Sequence, residues 1–326
     1  MMKQLTKLAL AALLGLGLST TAAQAQKWDL PAGYPPANFH SQTLTKFADD
    51  VRTATGGQLD ITVHAGASLF KVPEIKRAVQ TGQAQLGELL MAVLENEDAV
   101  FGVDNLPFLA TSFAESKKLA DASRPFIEKR LAAQGMRLLY WVPWPPQGFY
   151  APKELKSGDD LKGLKFRSYG PSAARLAELS GMQVTTVQAA EVTQAFATGR
   201  VNSMISSGAT GFDAKLWEHV KFFYDVQAWL PKNMIIVNEK AYAGLDEAKR
   251  TALLNAASAA EARGWGESER LTNYYLEEFR KNGMSVSPPS PALKDFFKKI
   301  GTDLEEGWVK RAGADGQAIL DTYRKK

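Results

Sequence analysis

The chain has 326 residues, with 39 Lys and Arg against 35 Asp and Glu, a formal net charge of +4, and no cysteine. The missing cysteines exclude disulfides, thiolate metal sites and cysteine nucleophiles together. The near balance of charge, with no block of five like charges, excludes a polycationic nucleic-acid binder.

The N-terminus carries Lys3 and Lys7, an apolar run from Leu8 to Leu18, and then Ala23-Gln24-Ala25, which fits the small-x-small cleavage rule. That run is well short of the roughly 20 residues a membrane span takes. The reading is a secretory signal peptide, residues 1–25, cut after Ala25. The exported remainder is 301 residues with a formal charge of +2. A chain of that length is long for one core and suits two lobes.

Along the mature chain the pattern predicts a strand near Trp28–Leu30, a helix at about 38–53 and a strand at Leu59–His64. The helix has Leu44, Phe47, Ala48 and Val51 on one face. A helix follows within "EIKRAVQTGQAQLGE", which starts at Glu74, and a strand after it. The same sequence of elements returns later: a strand at Leu164–Arg167, a helix at Ser172–Leu179, a strand at Gln183–Val187, then "EVTQAFATGRVNSMI" from Glu191. The two quoted stretches share an acid, an apolar face (Ile75, Ala78, Val79; Val192, Ala195, Phe196), and Thr-Gly. Gly82 and Gly199 fall where a left-handed glycine ends a helix. Both halves read βαβαβ, which implies α/β architecture with largely parallel sheets and a ligand cleft between two lobes.

"YWVPWPPQ" (140–147) reads as a crossover strand and bend, and "NMIIVN" (233–238) as the return crossing. The longest helix spans Asp246 to Asn282 and crosses both lobes; Gly264 and Gly266 predict a bend or break in it. Two short amphipathic helices are expected near Leu293–Gly301 and Gly316–Tyr323. The resulting division is 26–147 with 236–275 for one lobe, and 148–235 with 276–326 for the other.

The chemistry is sparse. His40, His64 and His219 are the three histidines, none at metal-ligand spacing from another, and HExxH and GxSxG are absent. No metal and no cofactor is expected. His40 opens the first helix and either lines the cleft or sits at the surface. Ser206, Ser207 and Thr210, in "SSGATG" after a strand, offer hydroxyls and backbone N–H groups to an anion or merely form a turn. Trp144, Phe149 and Tyr150 pack a crossover strand or give the pocket an apolar wall. Glu88 ends a strand, as a surface acid or a group that orients a cation or a ligand hydroxyl. Arg167 ends a strand where a loop leads into a helix, the edge at which α/β sheets bind ligands. It is either a solvated or salt-bridged charge, or a fork for a carboxylate.

"DDLKGLKFR", "GMQV" and "AAEVTQAFATGRVNSM" resemble the DctP-type solute-binding proteins of tripartite ATP-independent periplasmic (TRAP) transporters. "GGQLDITVHAGASL", "GELLM", "DNLPFLATS" and "AQGMRLLYWVPWPPQGFY" extend the likeness over nearly the whole mature chain. The resemblance implies a two-lobed periplasmic receptor, not an enzyme. It closes on a small organic acid and delivers it to sodium-driven integral-membrane TRAP subunits. The family's selectivity arginine falls on Arg167, its polar contact on Ser206, its first-lobe contacts near Phe39, His40 and Glu88, and a crossover contact near Tyr150. Val201-Asn202-Ser203 departs from the usual Val-Asp-Gly, and Ile205-Ser206 lacks the pair that coordinates a cation in some α-keto-acid binders. A compact monocarboxylate is therefore expected. Arg167 would pair with it, Glu88, Ser206 and Asn233 would satisfy its oxygens, and Trp144 and Tyr150 would cover its apolar parts, in a monomer. The rivals are a receptor for an ATP-driven importer, an exported carboxylate-processing enzyme, and a sensory accessory protein.

Overall fold

The computed structural model describes residues 25–325; apart from Ala25, the expected signal peptide lies outside the described residues. The chain opens with β1 (Gln26–Pro31), α1 (Phe39–Ala54), β2 (Leu59–His64), α2 (Val72–Gln80) and β3 (Leu86–Leu90). Asn38 starts α1 by accepting the His40 amide at 2.9 Å, and Leu44, Phe47, Ala48 and Val51 are buried on its inner face. After α3 (Phe113–Ala132), β4 (Met136–Pro143) leads through a crossing to β5 (Gly148–Ala151). The second half runs β6 (Lys165–Ser168), α4 (Pro171–Leu179), β7 (Gln183–Thr186), α5 (Val192–Ala197), β8 (Ser203–Ser206), α6 (Gly208–Asp213) and β9 (Phe222–Tyr224). It returns through β10 (Lys232–Asn238) and α7 (Glu239–Ala243) to α8 (Glu247–Lys281), β11 (Ser285–Ser287) and α9 (Pro291–Lys325).

The duplicated stretches fold alike. Ile75, Ala78 and Val79 are buried on α2, and Val192, Ala195 and Phe196 on α5. Thr81 and Thr198 each return a hydroxyl to the carbonyl four residues back, at 2.8 and 2.9 Å. Gly82 (φ 76°) and Gly199 (φ 65°) then turn the chain through the left-handed region.

The parallel ladders are β1 with β2, β6 with β7 and β8, and β11 with β9. The antiparallel ladders come from β5, which pairs β8 and β9, and from β10, which lies between β3 and β4. Both strands enter from the opposite lobe, so they run against their neighbours.

The outward crossing is shorter than expected, the return crossing lies earlier in the chain, and the two run side by side. Residues 144–147 lead out, and 226–231 lead back. They are tied by backbone bonds from Trp144 to Pro231 (2.8 Å), Gln147 to Trp229 (3.0 Å) and Ala228 to Gln147 (3.0 Å). The stretch 233–238 is no return crossing: all seven residues of β10 are buried in the middle of a sheet. The lobe boundary expected after 235 therefore falls inside a strand.

The break expected in the long helix is absent, and α8 is one continuous helix of 35 residues, about 52 Å at 1.5 Å per residue. Gly264 serves close packing instead: a Cβ there would lie 2.4 Å from Val142 Cγ2 on β4. The first half of α8 packs on α1 and β4, its second half on α6 and β11. The tail is likewise longer than expected. It is one run of 35 residues, interrupted only at Gly313 (φ 62°, ψ −145°), and it packs on α3 and α4.

Candidate ligand-binding site

Between the sheets, at the carboxyl ends of β3, β6 and β8, lies a cleft backed by the two crossings. Tyr34, Leu90 and Val93 face it from the first half of the chain; Arg167, Tyr169, Gln188, Ser206, Ser207 and Thr210 face it from the second. Trp144, Gln147 and Pro231 come from the crossings. Outward it joins a wider groove between α2 and α4.

Arg167 holds the centre. On β6 Lys165 is exposed, while Phe166 and Arg167 are both buried, on opposite faces of the strand, and Arg167 is only 3% exposed. Its Nε donates to the Val187 carbonyl at 2.8 Å, and its guanidinium lies 5.1 Å from the Tyr169 ring centroid. Among the described residues no carboxylate lies within ion-pair distance of it, and its terminal nitrogens donate to no protein acceptor. Burial pulls its pKa from 12.5 down to about 10, so at neutral pH it remains a desolvated cation. The sequence alternative of a salt-bridged charge is thereby removed, and a buried fork of N–H donors faces open space.

The serines sit where β8 ends. Ser207 caps α6, its Oγ accepting the Thr210 amide at 3.2 Å. Tyr150 is placed behind them rather than in the cleft. Its hydroxyl donates to the Ser207 carbonyl at 2.8 Å, while its ring packs against Phe223 and Phe279. Its contribution is to hold the backbone that presents Ser207.

Trp144 lines the cleft, with Tyr34 at 4.8 Å, His40 at 4.2 Å and Phe39 at 5.6 Å between ring centroids. Phe39 and His40 are buried beneath it, not exposed to the cavity. Asn233 is fully buried: its Oδ1 accepts from Trp144 Nε1 at 2.9 Å and from the Tyr34 hydroxyl at 3.4 Å. Its Nδ2 donates to Glu88 Oε1 at 2.9 Å. Both Asn233 and Glu88 thus stand one layer below the cavity, supporting its wall. Burial pushes the Glu88 carboxyl up to about 7, against the opposing effect of the Asn233 bond. Burial also holds His40 well below its usual value, so the 3.5 Å approach of His40 Nδ1 to Glu88 Oε1 joins no pair of charges.

Tyr34, Gln147, Tyr169 and Gln188 were not anticipated. Tyr169 lies two residues beyond Arg167 and Gln188 just past β7, both at the sheet edge that the topology rule marks. Tyr34 and Gln147 had no comparable signal, since each is placed by a loop. Gln147 is held by Tyr169, whose hydroxyl lies 3.3 Å from Gln147 Oε1 and accepts from Trp229 Nε1 at 2.8 Å.

Among the described residues no three His, Asp or Glu side chains converge as a metal site, and no helix is long and apolar enough to cross a membrane. What fold and cleft define is a two-lobed solute-binding receptor. The chain belongs to bacterial extracellular solute-binding protein family 7, whose model matches residues 33–310. It is 52% identical, with a TM-score of 0.91, to DctP6, a Bordetella pertussis extracytoplasmic solute receptor binding pyroglutamic acid, covering 92% of this chain and all of that one. A marine metagenome TRAP solute-binding protein specific for pyroglutamate, in complex with co-purified pyroglutamate, is 47% identical (TM-score 0.91; 93% and 100% covered). DctP7, a Bordetella pertussis receptor binding pyroglutamic acid, is 45% identical (TM-score 0.91; 92% and 100% covered).

Proposed function

We propose that this receptor captures pyroglutamate, or a similarly compact cyclic monocarboxylate, in the cleft and delivers it to sodium-driven TRAP membrane subunits. One observation carries the reading: a buried, charged Arg167 without a counter-ion among the described residues, at the meeting of two lobes. It is the only Lys or Arg among the residues that line the cleft, so one carboxylate balances it and a dicarboxylate would bury a spare charge. A lactam adds one N–H donor and one carbonyl acceptor, for which Gln147, Ser206, Ser207 and Thr210 supply partners. Ring methylenes rest on Leu90, Val93 and Trp144.

The lobes hinge, in this reading, at 144–147 and 226–231, which moves the expected boundary from 235 to 231 and keeps β10 whole. The ligand touches both lobes, so it binds the closed arrangement better and draws the equilibrium toward it. No bond is broken, and the reading assigns the chain no catalysis. The protein acts as an exported monomer after cleavage behind Ala25. The marine metagenome relative, a TRAP solute-binding protein, favours a TRAP partner over an ATP-driven one. Calorimetry of residues 26–326 with pyroglutamate, proline and succinate tests it. Tight binding of pyroglutamate alone is expected, and equal or stronger binding of succinate would overturn the single-carboxylate argument.

A further inference from the structure

The duplication gives the two halves equivalent first helices, α1 and α4. It also gives each half a helical turn after its third strand: Met91–Leu94 after β3, and α6 after β8. Glu95 and Asp213 stand at the ends of those turns, and each reaches the start of the first helix of the opposite half. Glu95 Oε2 accepts from the Ser172 hydroxyl at 2.8 Å and from the Ser172 amide at 3.2 Å. α4 has no side-chain cap of its own, because Gly170 holds the N-cap position. Pro171 brings no N–H, so the Ser172 amide is the first donor that needs a partner. On the other side, Asp213 Oδ2 accepts from Asn38 Nδ2 at 2.7 Å, while Asn38 Oδ1 caps α1 through the His40 amide. Both acids thus lie where the helix dipole also favours a negative charge.

Glu95 is held ready on its own side. Arg311 donates to Oε1 at 2.9 Å, and Gly102 leaves room for the carboxyl, since a Cβ there would come 2.5 Å from Glu95 Cδ. Arg311 travels with the first lobe: one turn earlier on α9, Trp308 donates to the Ala99 carbonyl at 2.6 Å. Glu95 and Ser172 are buried, as is Asn38, whereas Asp213 stays exposed at the rim. Each of the four follows closely on a residue that lines the cleft: Asn38 on Tyr34, Glu95 on Val93, Ser172 on Tyr169, and Asp213 on Thr210. Whatever draws the walls of the cleft together therefore brings these two pairs together as well.

We propose that Glu95–Ser172 and Asn38–Asp213 form a two-point latch, in which each lobe lends an acid to a helix start of the other and which engages only when the lobes close on cargo. This rests on the reading that the cleft takes an acid and closes over it. With the lobes apart, the Ser172 amide and hydroxyl and Asn38 Nδ2 face water, which satisfies them nearly as well. The latch then contributes to the closed arrangement and not to the stability of the empty fold. Apparent affinity scales with the population of the binding-competent state, so whatever the latch contributes is read in Kd. A contact fixed in both arrangements behaves in the opposite way: breaking it lowers stability and leaves affinity alone.

The test pairs titration calorimetry of residues 26–326 with pyroglutamate and urea unfolding of the same proteins without ligand. Asn38→Asp keeps an oxygen to cap α1 but turns the donor toward Asp213 into an anion. It should weaken binding about tenfold or more, with a ligand-free urea midpoint no lower than the parent's. Ser172→Ala should weaken binding by about 3- to 10-fold, again without lowering that midpoint. Asn38→Asp combined with Asp213→Asn exchanges donor and acceptor across the cleft and should bring affinity back close to the parent's. Parent-like affinity in both single variants, or a lowered midpoint with affinity kept, overturns the latch and leaves the receptor reading intact. An exchanged pair that folds and binds no better than Asn38→Asp alone overturns it too. Absence of any pyroglutamate heat in the parent overturns both. Should Asn38→Asp fail to fold, Ser172→Ala decides.

Discussion

Replacing Arg167 by methionine keeps most of the side-chain volume and removes the charge, so it separates what the guanidinium costs from what it does. Burial lowers its pKa from 12.5 to about 10. At about 1.36 kcal/mol per unit, that is on the order of 3 kcal/mol against the charged form in the empty folded protein. The cost applies at every pH below about 10 and fades only above it. Methionine relieves it but strips the Val187 carbonyl of its donor at 2.8 Å, a loss of about 1–2 kcal/mol for a buried acceptor. The ligand-free variant should therefore be more stable than the parent by about 1–2 kcal/mol, measured by urea unfolding at pH 7. Acid binding should change in the opposite direction. An exposed ion pair contributes about 0–1 kcal/mol, but a fully desolvated one that loses a partner costs about 3–5 kcal/mol, roughly 10²-fold to more than 10³-fold in Kd. Arg167→Lys should recover only part of the affinity, because the two-pronged geometry is gone. A methionine variant that is less stable than the parent, or that binds pyroglutamate equally well, refutes the reasoning.

The Glu88 carboxyl, raised from 4.5 to about 7 by burial, makes ligand-free stability pH-dependent. Its contribution is complete below 4.5 and is lost as pH rises through 7, on the order of 3 kcal/mol in full. Urea midpoints at pH 5.5 and 8.0 should converge in Glu88→Gln relative to the parent. Gly264→Ala places a methyl 2.4 Å from Val142 Cγ2 and should lower stability by about 1–3 kcal/mol, whereas Gly266→Ala, with nothing within 4 Å, should raise it by about 0.5–1 kcal/mol; thermal melts of the pair decide whether α8 depends on that one close approach. Tyr150→Phe removes the donor to the Ser207 carbonyl and should cost about 1–2 kcal/mol of stability with a several-fold loss of pyroglutamate affinity. Affinity unchanged in that variant would detach Tyr150 from the presentation of Ser207.

Much of the architecture was legible because it is local. The Thr-Gly ends of α2 and α5 show the left-handed turn directly, and the alternation at 164–167 puts Arg167 at a strand end beside the cleft. What escaped is what packing decides. Gly264 carries the same letter whether it breaks a helix or lets Val142 approach it, and only the neighbouring strand distinguishes the two. The stretch 233–238 reads as an apolar strand in any context, and its burial between β3 and β4, not its composition, makes it part of a sheet rather than a crossing. Asn233 and Glu88 were expected to satisfy ligand oxygens and Tyr150 to cover its apolar part, and none of the three lines the cleft. Whether they face a ligand or stand behind the groups that do depends on partners far apart in the chain, Asn233 with Trp144 and Tyr150 with Ser207.

The same guanidinium opposes closure when the cleft is empty and favours it when loaded, and that reversal can drive the receptor. Other contacts across the cleft are modest. Asn38 donates to Asp213 at 2.7 Å. Glu95 accepts from Ser172 Oγ at 2.8 Å and from Arg311 at 2.9 Å. Each such bond contributes on the order of 1 kcal/mol, somewhat more where a charge takes part. Against them stands the desolvation of Arg167, on the order of 3 kcal/mol, so the empty receptor gains little by closing. An acid seated on Arg167 supplies the missing partner and so relieves that penalty, a swing of roughly 3–5 kcal/mol. Moving a two-state equilibrium from 1:99 to 99:1 takes about 5.5 kcal/mol. The arginine alone therefore supplies much of what cargo-dependent closure takes, while Asn38–Asp213 and Glu95–Ser172 fix how the lobes meet.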